Sequence, residues 1–322
     1  MEQQKTVVFV GIGAMMLALV LRLATGGAAL SLRLWQVPAF FQPADTVQAT
    51  FPTETDPPPT ESPTESLQIA PSDGDPVQLH DLVGYGPDVQ ALLQTPLVWD
   101  LRSDAPTVLI LHTHGSESYT KQPTETYIEE SPYQTYDARY NMISLGQELA
   151  HILEAGGIRV IHDQMLHDHP SYSDAYDHAR QSIASYLAAY PSIQMVIDLH
   201  RDALDFAQDP QLSTSAQVNG QESAQIMLVA GTDVNLDYPD WQDNLSLGVK
   251  LTAVLEKAYP GITRPIQLRP QRFNLDMTPG SLLVEIGANG DTHTQALTAV
   301  RALGEAILTL ADGANLQNGP PF

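Results

Sequence analysis

The chain has 322 residues, enough for one or two domains with a sizeable core. Its 38 acidic against 15 basic side chains leave a net charge of -23, which excludes a surface built to meet the phosphates of nucleic acid. With no cysteine there are no disulfides, thiolate metal sites or cysteine nucleophiles, so any metal must be held by His, Asp and Glu.

Residues 1–35 read as a membrane anchor or a signal segment: 6–21 are uncharged, Lys5 stands on the amino side, and the apolar run resumes after Arg22 as far as Leu32. A single-pass helix needs about 20 apolar residues, so an uncleaved anchor requires Arg22 to snorkel or the second run to be included. The small-residue stretch Gly26-Gly27-Ala28-Ala29 is the alternative, a cleavage region. Residues 36–76, with TFPTETDPPPTESPTES, hold too little apolar surface to offset ordering entropy and are predicted to be a disordered, partly polyproline II linker. Residues 77–105 have weak amphipathic character, with a short helix near 89–93, and serve either as a docking element or as the leading edge of the domain that follows.

From residue 106 to 322, apolar strand-like runs (108–111, 158–161, 195–199, 226–230, 265–268 and 282–286) alternate with helix-like segments (141–155, 175–189, 245–259 and from His293 to about 310). No internal repeat is present. Strand–helix alternation predicts an α/β domain with a mainly parallel sheet and helices on both faces.

Three of these strands end in, or contain, ionisable residues. The first runs into His112-Thr113-His114-Gly115-Ser116-Glu117, a middle one carries Asp198-Leu199-His200-Arg201-Asp202, and a late one carries Val284-Glu285-Ile286-Gly287. Parallel strands bring their carboxyl ends to one edge, where open α/β sheets bind ligands. Two histidines and one carboxylate around zinc, with one position open, make a hydrolytic site. Glu285, an acid inside an apolar strand, is the candidate proton acceptor. Arg201 and Asp202 are candidates for orienting His200 or for gripping a peptide carboxylate; Arg201 is taken as the substrate-binding residue.

The blocks ILHTHGSESYT, RYNMISLGQELAHILEAGGIRVIHDQMLHDHPSYSDAYDHAR, MVIDLHRDA, LVAGTDVN with WQDNL, and FNLDMTPGSLLVEIGANGDTHTQA resemble the stage II sporulation protein P family of endospore formers, over 107 to about 310. That family is in turn similar to zinc-dependent N-acetylmuramoyl-L-alanine amidases. The resemblance implies an amidase-like fold, a Zn2+ cofactor and a peptidoglycan substrate. It implies His114 and His200 as the outer ligands and Glu285 as the catalytic acid. The middle ligand in the amidases is a glutamate four residues before an asparagine; here Asp137 stands before Asn141, with Glu117 as its rival. The resemblance further implies a membrane-anchored protein with its catalytic domain outside the cytoplasm, in the intermembrane space of the sporulating cell. There it would act in forespore engulfment beside a stage II sporulation protein D-like lytic transglycosylase, with cross-link endopeptidase as a second activity. The alternative is a non-catalytic peptidoglycan-binding or scaffold protein of the engulfment complex.

Two rival constellations compete with this site. His162, His167, His169 and His178, with Asp163 and Asp168, are denser in histidine, but they follow the second strand as a loop and the neighbouring histidines are not at helical i, i+4 spacing, so they are not taken as the principal metal site, with lining of the cleft as a lesser alternative. Ser116 and Ser118 lie beside His114 without a G-x-S-x-G elbow, which argues against a serine nucleophile.

Overall fold

The computed structural model describes residues 66–67, 77–97, 99–204 and 213–313. The apolar N-terminal run and all of the predicted linker except Ser66–Leu67 lie outside the described residues. Those two residues pair in parallel with Ser213–Thr214. Among the described residues no helix is long and apolar enough to cross a membrane.

In chain order the elements are β1 (Leu79–Asp81), α1 (Val89–Gln94), β2 (Val108–Leu111), α2 (Met142–Ala155), β3 (Val160–His162), α3 (Ala175–Ala189) and β4 (Met195–Asp202). A small hairpin follows, β5 (Ala216–Val218) and β6 (Gln221–Ser223), then β7 (Ile226–Gly231), α4 (Trp241–Ala258), β8 (Ile266–Arg269), β9 (Ser281–Ala288) and α5 (His293–Ala311). One seven-stranded sheet has the order β1-β8-β7-β9-β4-β2-β3. Five of its six pairings are parallel and the sixth, β9 with β7, is antiparallel. The mainly parallel sheet expected from the alternation is present, with one correction. β7, β8 and β1 run against the other four strands, so only β9, β4, β2 and β3 deliver their carboxyl ends to a common edge.

β2 consists of Val, Leu, Ile and Leu, all fully buried, because both faces of the sheet are covered. Side chains alternate along a strand. Val108 and Ile110 therefore meet the α2, α4 and α5 side with Met142, Leu145 and Ile197, while Leu109 and Leu111 meet α3 through Ala179 and Ile183. The helices are bounded by local chemistry. Asn141 caps α2 by accepting from the Ile143 amide, and Thr292 with Gln295 forms a reciprocal capping box at α5.

Two buried polar contacts fix how the layers sit. The short α1 would leave its last carbonyls orphaned against α4. Lys250 donates its ammonium to the Leu92 and Leu93 carbonyls, and Ser246, one turn earlier, donates to Leu92 O at 2.9 Å. The 77–97 segment is thus an integral edge of the domain, with β1 paired to β8. On the α2 side of the sheet, His112 Nδ1 lies 3.3 Å from Leu199 O, which can only accept, and this leaves Nε2 to accept from His162 Nε2 at 2.9 Å. Gly146 of α2 rides directly on this pair, since a Cβ there would stand 2.4 Å from both Nε2 atoms.

Replacing Lys250 by Met removes the donor to the Leu93 carbonyl and one of the donors to Leu92, which keeps Ser246, at about 1–3 kcal/mol. The expected result is a melting temperature lower by about 2–10 °C, read by circular dichroism, and an unchanged value would contradict the pin. The histidine pair sets an acid limit. Burial pulls His112 down to about 4 and His162 down to about 3 from 6.5. The unfolded chain therefore binds more protons below pH 6.5, so the stability of this pair is complete above 6.5 and is lost as pH falls toward 4. Denaturant titrations at pH 7 and 4.5 should show an acid loss on the order of 2–3 kcal/mol or more, smaller in His162→Gln. Identical acid losses in the two proteins would show that the pair does not set this limit.

Candidate metal centre

β2 ends at Leu111 and the chain turns sharply at the sheet edge. The turn is held from both sides. Thr113 donates its amide (2.8 Å) and hydroxyl (2.5 Å) to the two oxygens of Asp198, and Ser116 donates its amide (3.0 Å) and hydroxyl (2.6 Å) to Asp168. Asp198 and His200 are two apart on β4, hence on one face, and Glu285 of β9 stands in register with His200.

This arrangement brings His114, Glu117 and His200 together, with one ligand atom from each within 4.8 Å of the others. His114 Nδ1 is 3.7 Å from Glu117 Oε1, and His200 Nδ1 is 3.7 Å from Glu117 Oε2. The two imidazoles stand edge-to-face at 5.2 Å. Donor atoms at ordinary zinc distances around a tetrahedral ion are separated by about 3.3–3.5 Å, so small side-chain shifts would close this set on one ion. The surroundings match a metal site too. His200 Nε2 comes within 3.1 Å of Asp198 Oδ1, an ion-pair distance without good hydrogen-bond alignment, and a carboxylate behind a ligating histidine is the usual support for its ring.

Of the residues expected from sequence, His114 and His200 converge and Glu285 adjoins them. Asp137 does not join the group. Its carboxylate is held by Arg139 Nε at 2.9 Å and Nη2 at 2.6 Å, and Glu117 occupies the third place instead. Arg201 also departs from its expected role as a substrate clamp. It is buried, donates Nε to Ser118 O (2.8 Å) and Nη2 to Tyr133 O (3.1 Å), and has Nη1 3.8 Å from Glu117 Oε1. With its backbone amide 3.3 Å from Glu117 Oε2, it positions the glutamate.

The histidines of 162–178 disperse. His162 pairs with His112, His167 with Asp163, His169 with Tyr136, and His178 donates to the His167 carbonyl. Ser116 donates to Asp168 and not to a histidine, so it has no base. Residues that sequence reasoning missed are Asp198 as the support of His200, Asp168 as the anchor of the turn, and Tyr172 and Tyr176. Tyr172 stacks on His114 at 4.3 Å, and Tyr176 lies edge-on to His114 at 5.5 Å and over His200 at 6.3 Å. The Asp-x-His alternation within β4 was the available signal for Asp198.

Electrostatics separate the roles. Burial, and then the neighbouring His200, pulls His114 down to about 4, so it is the neutral, ligating form at neutral pH. Burial opposes charge on His200, but Asp198, followed by Glu117 and Glu285, overcomes it and pushes His200 up to about 10, so a cation at the centre would take the place of that proton. Glu285 keeps some solvent contact, yet its Oε2 is covered and meets no donor. Burial pushes its carboxyl up to about 8, against the lowering effect of His200.

The molecule is thus of a definite class, an α/β protein with a His–Glu–His candidate metal centre at the carboxyl ends of its parallel strands. The chain belongs to the stage II sporulation protein P family, whose model matches residues 44–308. It is 26% identical over 215 residues to stage II sporulation protein P of Bacillus subtilis (strain 168), a match that covers 63% of this chain and 51%, about half, of that protein's length. Among solved structures it is similar to the CwlD amidase of Clostridioides difficile in complex with the GerS lipoprotein, at 13% identity and TM-score 0.41 over 65% of this chain and 100% of that one. It is also similar to the N-acetylmuramyl-L-alanine amidase Ami1 of Mycobacterium abscessus, at 12% identity and TM-score 0.36 over 65% and 98%. The catalytic domain of CwlV, an N-acetylmuramoyl-L-alanine amidase of Bacillus (Paenibacillus) polymyxa, gives 9% identity and TM-score 0.37 over 64% and 98%. These structural similarities are too distant to carry residue roles across.

Metal content tests the assignment. Zinc measured by elemental analysis should be lost in Glu117→Ala and His114→Ala and kept in Asp137→Ala. Loss in Asp137→Ala with retention in Glu117→Ala would restore the ligand set expected from sequence.

Proposed function

We propose that the chain is a zinc-dependent peptidoglycan hydrolase of sporulation, an N-acetylmuramoyl-L-alanine amidase that cleaves the amide between the lactyl group of the glycan and the first alanine of the stem peptide. The observation that carries this reading is the convergence of His114, Glu117 and His200 with the undonated carboxylate of Glu285 in register beside them. Membership of the family supports the sporulation role. The apolar N-terminal run supports a single-pass membrane anchor with the domain outside the cytoplasm. Peptidoglycan as substrate and a stage II sporulation protein D-like transglycosylase as partner belong to the same proposal.

His114, Glu117 and His200 would hold the zinc, two imidazoles and a carboxylate suiting that ion. Zinc at such a centre supplies Lewis-acid polarisation of the amide carbonyl and makes water acidic enough to attack near neutral pH. Asp198 holds the His200 ring, and Arg201 with the turn from Thr113 to Ser118 holds Glu117. Glu285 takes the proton from the attacking water as the carbon–oxygen bond forms and returns it to the alanine nitrogen as the carbon–nitrogen bond breaks. Its raised pKa keeps it protonated in the absence of a cation, and a neighbouring positive ion favours the carboxylate that this step needs.

The full chain is assayed on purified peptidoglycan by dye release and muropeptide analysis, with and without chelator. The expected result is stem peptides with free amino-terminal alanine, lost with chelator and regained with zinc. Glu285→Gln should lower kcat by about 10²–10⁴-fold with zinc retained. A zinc-loaded wild type that binds peptidoglycan without releasing alanine termini would favour the scaffold reading.

A further inference from the structure

Tyr172 opens the short 3-10 turn Tyr172–Asp174 that leads into α3. Its ring lies flat on His114, with 9° between the planes, and it is 49% exposed, so it walls the cleft and is not part of the core. Its hydroxyl sits 3.4 Å from His114 Nδ1, and this is the nitrogen that faces Glu117 at 3.7 Å. The phenol oxygen therefore stands beside the place where the three candidate ligands converge.

The bond to Nδ1 is long, at the outer limit of hydrogen bonding, and it cannot survive occupation of the centre. A nitrogen that gives its lone pair to an ion can no longer accept the proton of a phenol. The O–H is then free toward whatever else reaches that ion. A phenol keeps its proton over the whole neutral range, so the hydroxyl is available as a donor there. Tyr176, one turn on, packs between His200 and Phe273 as well as against His114, and is the more enclosed of the two.

We propose that the Tyr172 hydroxyl is a catalytic hydrogen-bond donor to the carbonyl oxygen of the scissile amide, a role that rests on the hydrolase reading above. It makes no covalent bond and gives up no proton. It meets the negative charge that gathers on that oxygen when water adds to the carbon, as the donor of an oxyanion hole does.

The test compares the zinc-loaded full chain with Tyr172→Phe, which keeps the ring and removes the hydroxyl. The probe is a phosphinate analogue of the muramoyl–alanine amide, whose oxygen stands for the charged carbonyl oxygen, and binding is measured by calorimetry beside turnover. Tyr172→Phe should keep its zinc, bind the phosphinate about 10²-fold more weakly and lose kcat by about the same factor, with KM changed by less than about 3-fold. Wild-type phosphinate affinity and kcat in Tyr172→Phe would overturn the donor role while leaving the hydrolase standing. Loss of zinc in that variant would also overturn it, by making the hydroxyl part of the centre's support. A wild-type chain that holds zinc but neither binds the phosphinate nor cleaves would overturn both readings together.

Discussion

A buried carboxylate, Asp198, is the constraint on which the site depends. It accepts two hydrogen bonds from Thr113 and lies 3.1 Å from His200 Nε2. Burial alone would raise its pKa, but His200 and the Thr113 donors hold it below the usual carboxylate range. A charge in this position is tolerable only while those partners stay in place. It therefore ties the turn that carries His114 and Glu117 to the strand that carries His200. Neither half of the centre can drift without uncovering it.

Strand direction decides which residues can join that centre. β2, β4 and β9 point their carboxyl ends to the same edge, and the antiparallel junction of β9 with β7 sends the ends of β7 and β8 to the other. Glu285 reaches the site from within its strand because its register partner is His200. On the α3 side, Tyr172 and Tyr176 close over the imidazoles. Beneath the sheet, the His112–His162 pair and Gly146 set how closely α2 approaches. The second histidine of the opening His-x-His is thus a ligand candidate and the first is packing, since positions two apart share a face only while the chain stays extended, and the turn begins between them.

Much of this was legible in the sequence. The apolar run 108–111, the strand around Asp198 to His200 and the acid within 282–286 lie at the predicted places, because hydrophobic runs and their ionisable ends are local signals. The reversed strands were not legible, since a short buried strand reads alike in either direction. Asp137 was favoured by its spacing from Asn141, yet spacing says nothing of a partner, and Arg139 two residues on holds it. Arg201 looked free to grip a substrate because the carbonyls of Ser118 and Tyr133 that it satisfies are more than sixty positions away. The tyrosines of the cleft wall gave no pattern of their own.

The central claim is that one turn and one strand present two imidazoles and the Glu117 carboxylate to a single ion. X-ray absorption at the zinc edge of the loaded full chain reads that shell directly. The geometry predicts a four-coordinate ion with two imidazoles and oxygen at about 2.0–2.2 Å, with the carboxylate contribution altered by Glu117→Gln and untouched by Asp137→Asn. A shell with a single imidazole, or one that responds only to Asp137, would contradict it.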